Sequence, residues 1–245
     1  MAKNTKIIAI GGVTGGIGRE LAARLNDAGH RLYGFARNAD EVEGVDVKEC
    51  DATDSEAVES FFEAIHEAEG RIDAYVHAVG SIYIKPAHMT PNDDWHATIN
   101  DNLNTAFYAL RSATKRMQKQ DKGGSLLFFS TAAAHRGIAN HEAIAAAKGG
   151  IDAMLRSAAA TYASRGLRIN AIAPSLTDTP LSEPITGNEK ALELSKQMHP
   201  LGDITRKGDV ASLAEWLVSD HAKFVTGQTY LMDGGLSAIV PKPRA

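Results

Sequence analysis

Residues 7–18 read Ile7-Ile8-Ala9-Ile10-Gly11-Gly12-Val13-Thr14-Gly15-Gly16-Ile17-Gly18, and this stretch decides the fold. A short β-branched run enters a glycine-rich turn, and the turn opens directly into the helical stripe Ile17, Leu21, Leu25. Glycines let backbone amides come close to an anion, and the start of the following helix adds the positive end of its dipole. A glycine-rich turn alone could be any flexible loop. Placed between a first strand and a first helix, it points to a dinucleotide pyrophosphate. Gly29 stands where that helix should meet a C-terminal cap.

Outward from this unit, apolar runs alternate with amphipathic segments. Strands are predicted at Lys6–Ile10, Arg31–Phe35, Val45–Glu49, Ile72–His77, Ser125–Ser130, Arg168–Ile172 and Thr229–Met232. Their apolar residues run on without strict alternation, as in a parallel sheet buried on both faces. Between them, Thr53 and Glu56 have capping-box spacing before the stripe Val58, Phe61, Phe62, Ile65, and Val210, Leu213, Ala214 and Leu217 repeat the helical pattern. The expected fold is α/β: a single-domain Rossmann fold over 1–245, with a doubly wound, seven-stranded parallel sheet flanked by helices. The long irregular stretch 175–207, with one helix near Glu189–Gln197, is a candidate substrate loop.

Composition narrows the function. With 26 Lys and Arg against 30 Asp and Glu, interspersed, the chain has no basic face for nucleic acid. Lys3 and Lys6 before the first apolar run imitate a signal peptide, but Gly11-Gly12 cuts the run short. Nothing approaches a membrane span, and the single Cys50 fits a reducing compartment, so a cytoplasmic protein is expected. The histidines show no metal-ligand spacing, and no metal site is read from them.

The turn's spacing, G-x3-G-x-G, resembles that of the short-chain dehydrogenase/reductase superfamily, and the resemblance continues along nearly the whole chain. It implies that Gly12, Thr14, Gly16, Ile17 and Gly18 meet the cofactor diphosphate. Ala36 stands where NAD-preferring members carry an acid for the ribose 2′-hydroxyl, and Arg37 beside it offers a cation to a 2′-phosphate. The expected cofactor is therefore NADP(H) rather than NAD(H); a plain solvated charge is the other reading of Arg37. Asp51-Ala52 resembles the pair that contacts adenine. His77-Ala78-Val79-Gly80 stands for Asn-Asn-Ala-Gly, with Ala78 and Gly80 at the cofactor and His77 bracing the fourth strand. Asn102 matches the family's structural and catalytic asparagine. Pro174, Thr177 and Thr179 belong to Pro-Gly-x-x-x-Thr, which meets the nicotinamide. Val225-Thr226-Gly227-Gln228 and Asp233-Gly234-Gly235 resemble the closing strand and its subunit contacts, and the Ala- and Gly-rich segment 142–163 resembles a helix of the family's subunit interface. A homodimer or homotetramer is implied.

One part of the pattern is missing. The family's acid–base tyrosine lies four residues before the ribose-binding lysine. Lys148 matches the lysine, but counting back four gives Ile144, and the serine position holds Thr131. The run 130–141 is also similar to bacterial enoyl-acyl-carrier reductases, whose active tyrosine lies seven residues before the lysine, at His141 here. Residues 141, 144, 145 and 148 share a helical face, so His141 and Lys148 could both face the nicotinamide. The leading expectation is hydride transfer to a conjugated C=C or activated carbonyl, an enoyl- or oxoacyl-like substrate. Thr131, His141 and Lys148 would hold the oxyanion, and Asn102 would organise a water. Two alternatives stay open: a non-catalytic NADP(H)-binding sensor or scaffold, and an ordinary carbonyl reductase whose proton comes from Tyr83 or His141. Otherwise Tyr83 would simply line the pocket, His135 would be a loop residue, and His141 a solvated helix-start histidine.

Overall fold

In the computed structural model, which describes residues 5–242, every strand expected from the sequence is present; Lys3 lies outside the described residues. The strands are β1 (Ile7–Gly11), β2 (Arg31–Ala36), β3 (Val45–Glu49), β4 (Ala74–His77), β5 (Gly124–Phe129), β6 (Leu167–Pro174) and β9 (Thr229–Met232). They form one sheet in the order β3-β2-β1-β4-β5-β6-β9, with every neighbouring pair parallel. All five residues of β1 are buried, which explains its unbroken apolar run. On one face the sheet is covered by α2 (Ser55–Glu69), α4 (Thr105–Met117) and α5 (Glu142–Tyr162), through side chains such as Phe62, Met117 and Leu155. On the other lie α1 (Gly16–Asp27) and α8 (Lys207–Val218), with Leu21, Leu25, Val210 and Leu217 inside. The winding reverses between β1 and β4, opening a crevice at their C-terminal ends. No helix among the described residues is long and apolar enough to cross a membrane.

Three local expectations are corrected. β4 begins at Ala74 rather than Ile72, because the Gln120 side chain takes both backbone groups of Ile72, accepting from its N–H at 2.8 Å and donating to its carbonyl at 2.9 Å. The cap of α2 is Asp54, which accepts from the amides of Glu56 and Ala57 at 2.9 and 3.1 Å; Thr53 instead donates its hydroxyl to Asp51. Residues 175–207 hold more order than one helix. Besides α7 (Glu189–Met198) they carry α6 (Glu183–Thr186) and a small parallel pair, β7 (Thr177–Asp178) with β8 (Thr205–Arg206). Gly29 ends α1 as expected, with φ +83° and its amide on the Asn26 carbonyl.

Two glycines set the crevice. Gly12 has φ +74°, and a Cβ there would lie 2.7 Å from the Ala78 carbonyl oxygen of the neighbouring strand end. A Cβ on Gly18 would lie 2.3 Å from the Gly12 oxygen, so α1 reaches β1 only because Gly18 has none. Gly18→Ala should therefore lower stability by roughly 1–3 kcal/mol. Gly137→Ala, whose new methyl meets nothing within 4 Å, should be near neutral; thermal or urea unfolding of both variants checks this.

Candidate active site

The crevice holds two adjoining cavities. One, of about 530 Å3, runs from the glycine turn past Arg37 and Asp51 to Gly80 and Thr179. The other, of about 390 Å3, lies between the ends of β4, β5 and β6 and the 175–207 segment. They share Ile17, Ala78, Val79, Gly80, Ser81, Thr179 and Leu181 as walls. The first has the features an anionic dinucleotide needs. The N-cap of α1 is Gly15, no side chain caps the helix, and no acid stands in its first turn, so the first amides are left for a phosphate. At the far end Arg37 is exposed, and Asp51 is tied down by Thr53, whose amide and hydroxyl hold its carboxyl below the usual range. A nicotinamide dinucleotide laid along this cleft would have its diphosphate at Gly12–Gly18 and its adenine end at Arg37, Asp51 and Ala52.

All of the expected cofactor residues line one cavity or the other. Gly12, Thr14, Gly16, Ile17, Gly18, Arg37, Asp51, Ala52, Ala78, Gly80 and Thr179 line the first. Pro174, Thr177 and Lys148 line the second, with Thr131, His141 and Ile144. Lys148 Nζ donates to the Phe129 carbonyl at 3.0 Å, and a Cβ on Gly80 would meet it at 3.1 Å, so the ammonium lies where the two cavities join. Burial lowers its pKa to about 8, partly offset by the charge of Asp152. Thr131 accepts the Ala133 amide at 3.3 Å, leaving its O–H to donate into the cavity. His141 is the N-cap residue of α5, one position outside the helix. Its Nδ1 lies 2.8 Å from the Ala139 carbonyl, which can only accept, so Nδ1 carries a proton. Ile144, four residues before Lys148, is 6% exposed and offers the cavity only hydrocarbon.

Other expectations change. Asn102 lines neither cavity. Fully buried in a π-helical turn, it donates to Thr98 O and Ser81 Oγ at 2.9 and 3.0 Å and accepts the Ser81 amide at 3.2 Å. It positions the Gly80–Ser81 loop rather than touching the cavity. Tyr83 is not a lining residue either: its hydroxyl donates to Asp94 at 2.8 Å, which withdraws it as a proton source. His135 is more than a loop residue, because its Nε2 lies 3.1 Å from Asp152. His77 braces β4 as expected, with Nδ1 2.7 Å from the Tyr75 hydroxyl and Nε2 3.2 Å from Thr105. Burial, helped by the charge of Lys148, lowers its pKa to about 3 and keeps it neutral.

Sequence reasoning missed Asp152. This buried carboxylate accepts from Ser130 at 2.6 Å and Thr229 at 2.8 Å, joining β5, β9 and α5 behind Lys148. The available signal was an acid one helical turn after Lys148 in a helix otherwise made of small and apolar residues on that face.

Comparisons with known proteins agree with this geometry. The family described as enoyl-(acyl carrier protein) reductase matches residues 12–237. A 3-oxoacyl-(acyl-carrier-protein) reductase of Thermotoga maritima is 30% identical, covering 94% of this chain and 97% of its own. An NADP-dependent (R)-specific alcohol dehydrogenase of Lentilactobacillus kefiri is 28% identical, covering 95% and 97%. Among solved structures, the ligand-free aldohexose dehydrogenase of Thermoplasma acidophilum superposes with a TM-score of 0.90 at 28% identity, over 99% of this chain and 98% of that one.

The buried lysine makes a signed prediction. Its pKa is about 8 when folded against 10.5 for the free side chain, so the unfolded chain binds the extra proton between those values. The desolvation penalty is thus fully present below pH 8 and relieved as pH rises to 10.5. Wild type should gain on Lys148→Met by about 2 kcal/mol between pH 7.5 and 10, measured as the difference between their denaturation free energies at those two pH values.

Proposed function

The chain belongs to the short-chain dehydrogenase/reductase superfamily, and from that premise we propose that it is an NADP(H)-dependent oxidoreductase that reduces a conjugated C=C or an activated carbonyl of an enoyl- or oxoacyl-like substrate. The observation that carries the reading is the pairing of a complete cofactor cleft with an active-site wall in which Ile144 replaces the usual proton donor. The 2′-phosphate preference rests on Ala36, which removes the competing acid, and on Arg37 exposed at the same end.

When bound, the cofactor supplies a hydride. The residues here would do the rest. Lys148 grips the ribose and places positive charge beside the reacting carbonyl. Thr131 donates a hydrogen bond to its oxygen, and His141, when protonated at Nε2, donates a second. In an enoyl substrate the β-carbon gains the hydride, the C=C electrons move onto the carbonyl oxygen, and a proton from His141 or water completes the α-carbon. A simple ketone needs its oxygen protonated as the hydride arrives, and Ile144 cannot do this. Asn102, behind Ser81, keeps the loop in place. Residues 175–207 close the substrate side within a single domain, and assembly as a homodimer or homotetramer in the cytoplasm completes the reading.

A second reading has its own observation: Ile144 is buried and apolar where the acid belongs, as in a protein that binds the dinucleotide as sensor or scaffold without turnover. NADPH binding by fluorescence, followed by oxidation against enones, enoyl thioesters and ketones, separates the two. Binding with no turnover on any panel favours the non-enzyme. Two variants sharpen the result. Arg37→Ala should weaken NADPH about tenfold or more while sparing NADH, since one charge-assisted contact to phosphate is lost; equal losses would remove the phosphate contact. Ile144→Tyr should raise simple-ketone reduction at least tenfold, because a positioned acid contributes about a hundred- to ten-thousand-fold; no gain in a folded variant would sink the account of the missing acid.

A further inference from the structure

The acids that line the nucleotide cavity, Asp40, Asp51 and Asp101, differ in what they hold. Asp40 lies 3.8 Å from the Arg19 guanidinium. Asp51 accepts the Thr53 amide at 2.9 Å and the Thr53 hydroxyl at 2.8 Å. The Asp101 carboxylate has no hydrogen-bond or ion-pair partner among the described residues; only its backbone carbonyl is used, by the Thr105 hydroxyl at 2.9 Å. Asp101 is partly buried, in the π-helical turn that leads into α4, and Thr105, one turn further on, lines the same cavity.

A bare carboxylate in a cleft built for an anion repels the ligand unless the ligand brings it a donor. The dinucleotide has few donors to offer at this wall. Its diphosphate belongs at the glycine turn and a 2′-phosphate at Arg37, with the ribose between them, and both groups only accept. Asp101 is not a wall of the substrate-side cavity, so the nicotinamide end does not reach it. The base is what remains. Ala52, Ala78 and Val79 give its flat faces apolar walls, and the edge of adenine carries a 6-amino group that donates.

We propose that Asp101 is a specificity-determining residue for the base of the cofactor: its carboxylate accepts a hydrogen bond from the 6-amino group, so the cleft selects adenine over a 6-oxopurine. This rests on the proposed nicotinamide nucleotide and not on the hydride acceptor. In hypoxanthine a carbonyl oxygen replaces the amine, and a carboxylate facing it is left unpaired against a second acceptor. Selection therefore comes from repulsion of the wrong base as well as from attraction of the right one.

The test uses the full chain with NADPH and with reduced nicotinamide hypoxanthine dinucleotide phosphate, which differ only at that group. Both are followed by fluorescence of the reduced nicotinamide, so the readout does not depend on the base. The wild type should bind NADPH at least about tenfold more tightly, since a charge-assisted hydrogen bond separates the two. Asp101→Ala should bring the ratio close to one. Asp101→Asn, whose amide can donate to the 6-oxo group, should move it further toward the hypoxanthine nucleotide, a reversal that mere loosening of the turn would not produce. Calorimetry with adenosine 2′,5′-bisphosphate and inosine 2′,5′-bisphosphate reads the same ratios without the nicotinamide half. Equal affinity of the wild type for both bases, or a preference that survives Asp101→Ala, would overturn the assignment and leave the cofactor reading intact. Failure to bind any of these nucleotides would remove the cofactor reading and the role of Asp101 with it.

Discussion

The close approach of β1, α1 and the end of β4 is the constraint on which the rest of this protein depends. With a side chain at Gly18 the helix could not sit against the Gly12 carbonyl, and with one at Gly12 the turn would strike the Ala78 carbonyl. Only this packing aims the first amides of α1, uncapped by any side chain, into the crevice where the sheet's winding reverses. The diphosphate cleft is therefore not an addition to the fold. It is the space left when a strand, a turn without side chains and a helix are drawn together at a topological switch point.

Charge is arranged around the same crevice with equal economy. Lys148 is a buried cation held by one backbone carbonyl and by the field of Asp152, which is itself held by Ser130, Thr229 and His135 from three different segments. Burying an ion is unfavourable unless partners offset it, so the network is a condition for the lysine being there at all. His77, a short distance away, is kept neutral by burial and by the same positive charge, so it braces β4 without adding a second cation. The Lys148 end of the cavity thus has one fixed positive group, the hydroxyl of Thr131 and an apolar wall at Ile144. Such a site stabilises developing negative charge on oxygen better than it delivers a proton to it.

Much of the site was legible in the chain, because cofactor recognition uses backbone and spacing. The glycine turn, Arg37, Asp51, Gly80, Lys148 and Thr179 all line the crevice as their order implied. The misreadings share a cause. Asn102 and Tyr83 are polar residues near the site whose hydrogen bonds turn out to be spent elsewhere, on Ser81 and Thr98 and on Asp94. His135 and Asp152 matter through partners from 17 to 77 positions away, and no local pattern records that.

By itself the sequence determined the alternation of strand and helix, the parallel sheet, the nucleotide turn and the spacing of Ile144 from Lys148, since each is written in short-range periodicity or in fixed spacing along one element. The tertiary structure alone decided which polar atoms are satisfied and which face the cavity. Those outcomes depend on side chains brought together from separate segments, as Ser130, Asp152 and Thr229 are, and on burial, which keeps a histidine such as His77 neutral.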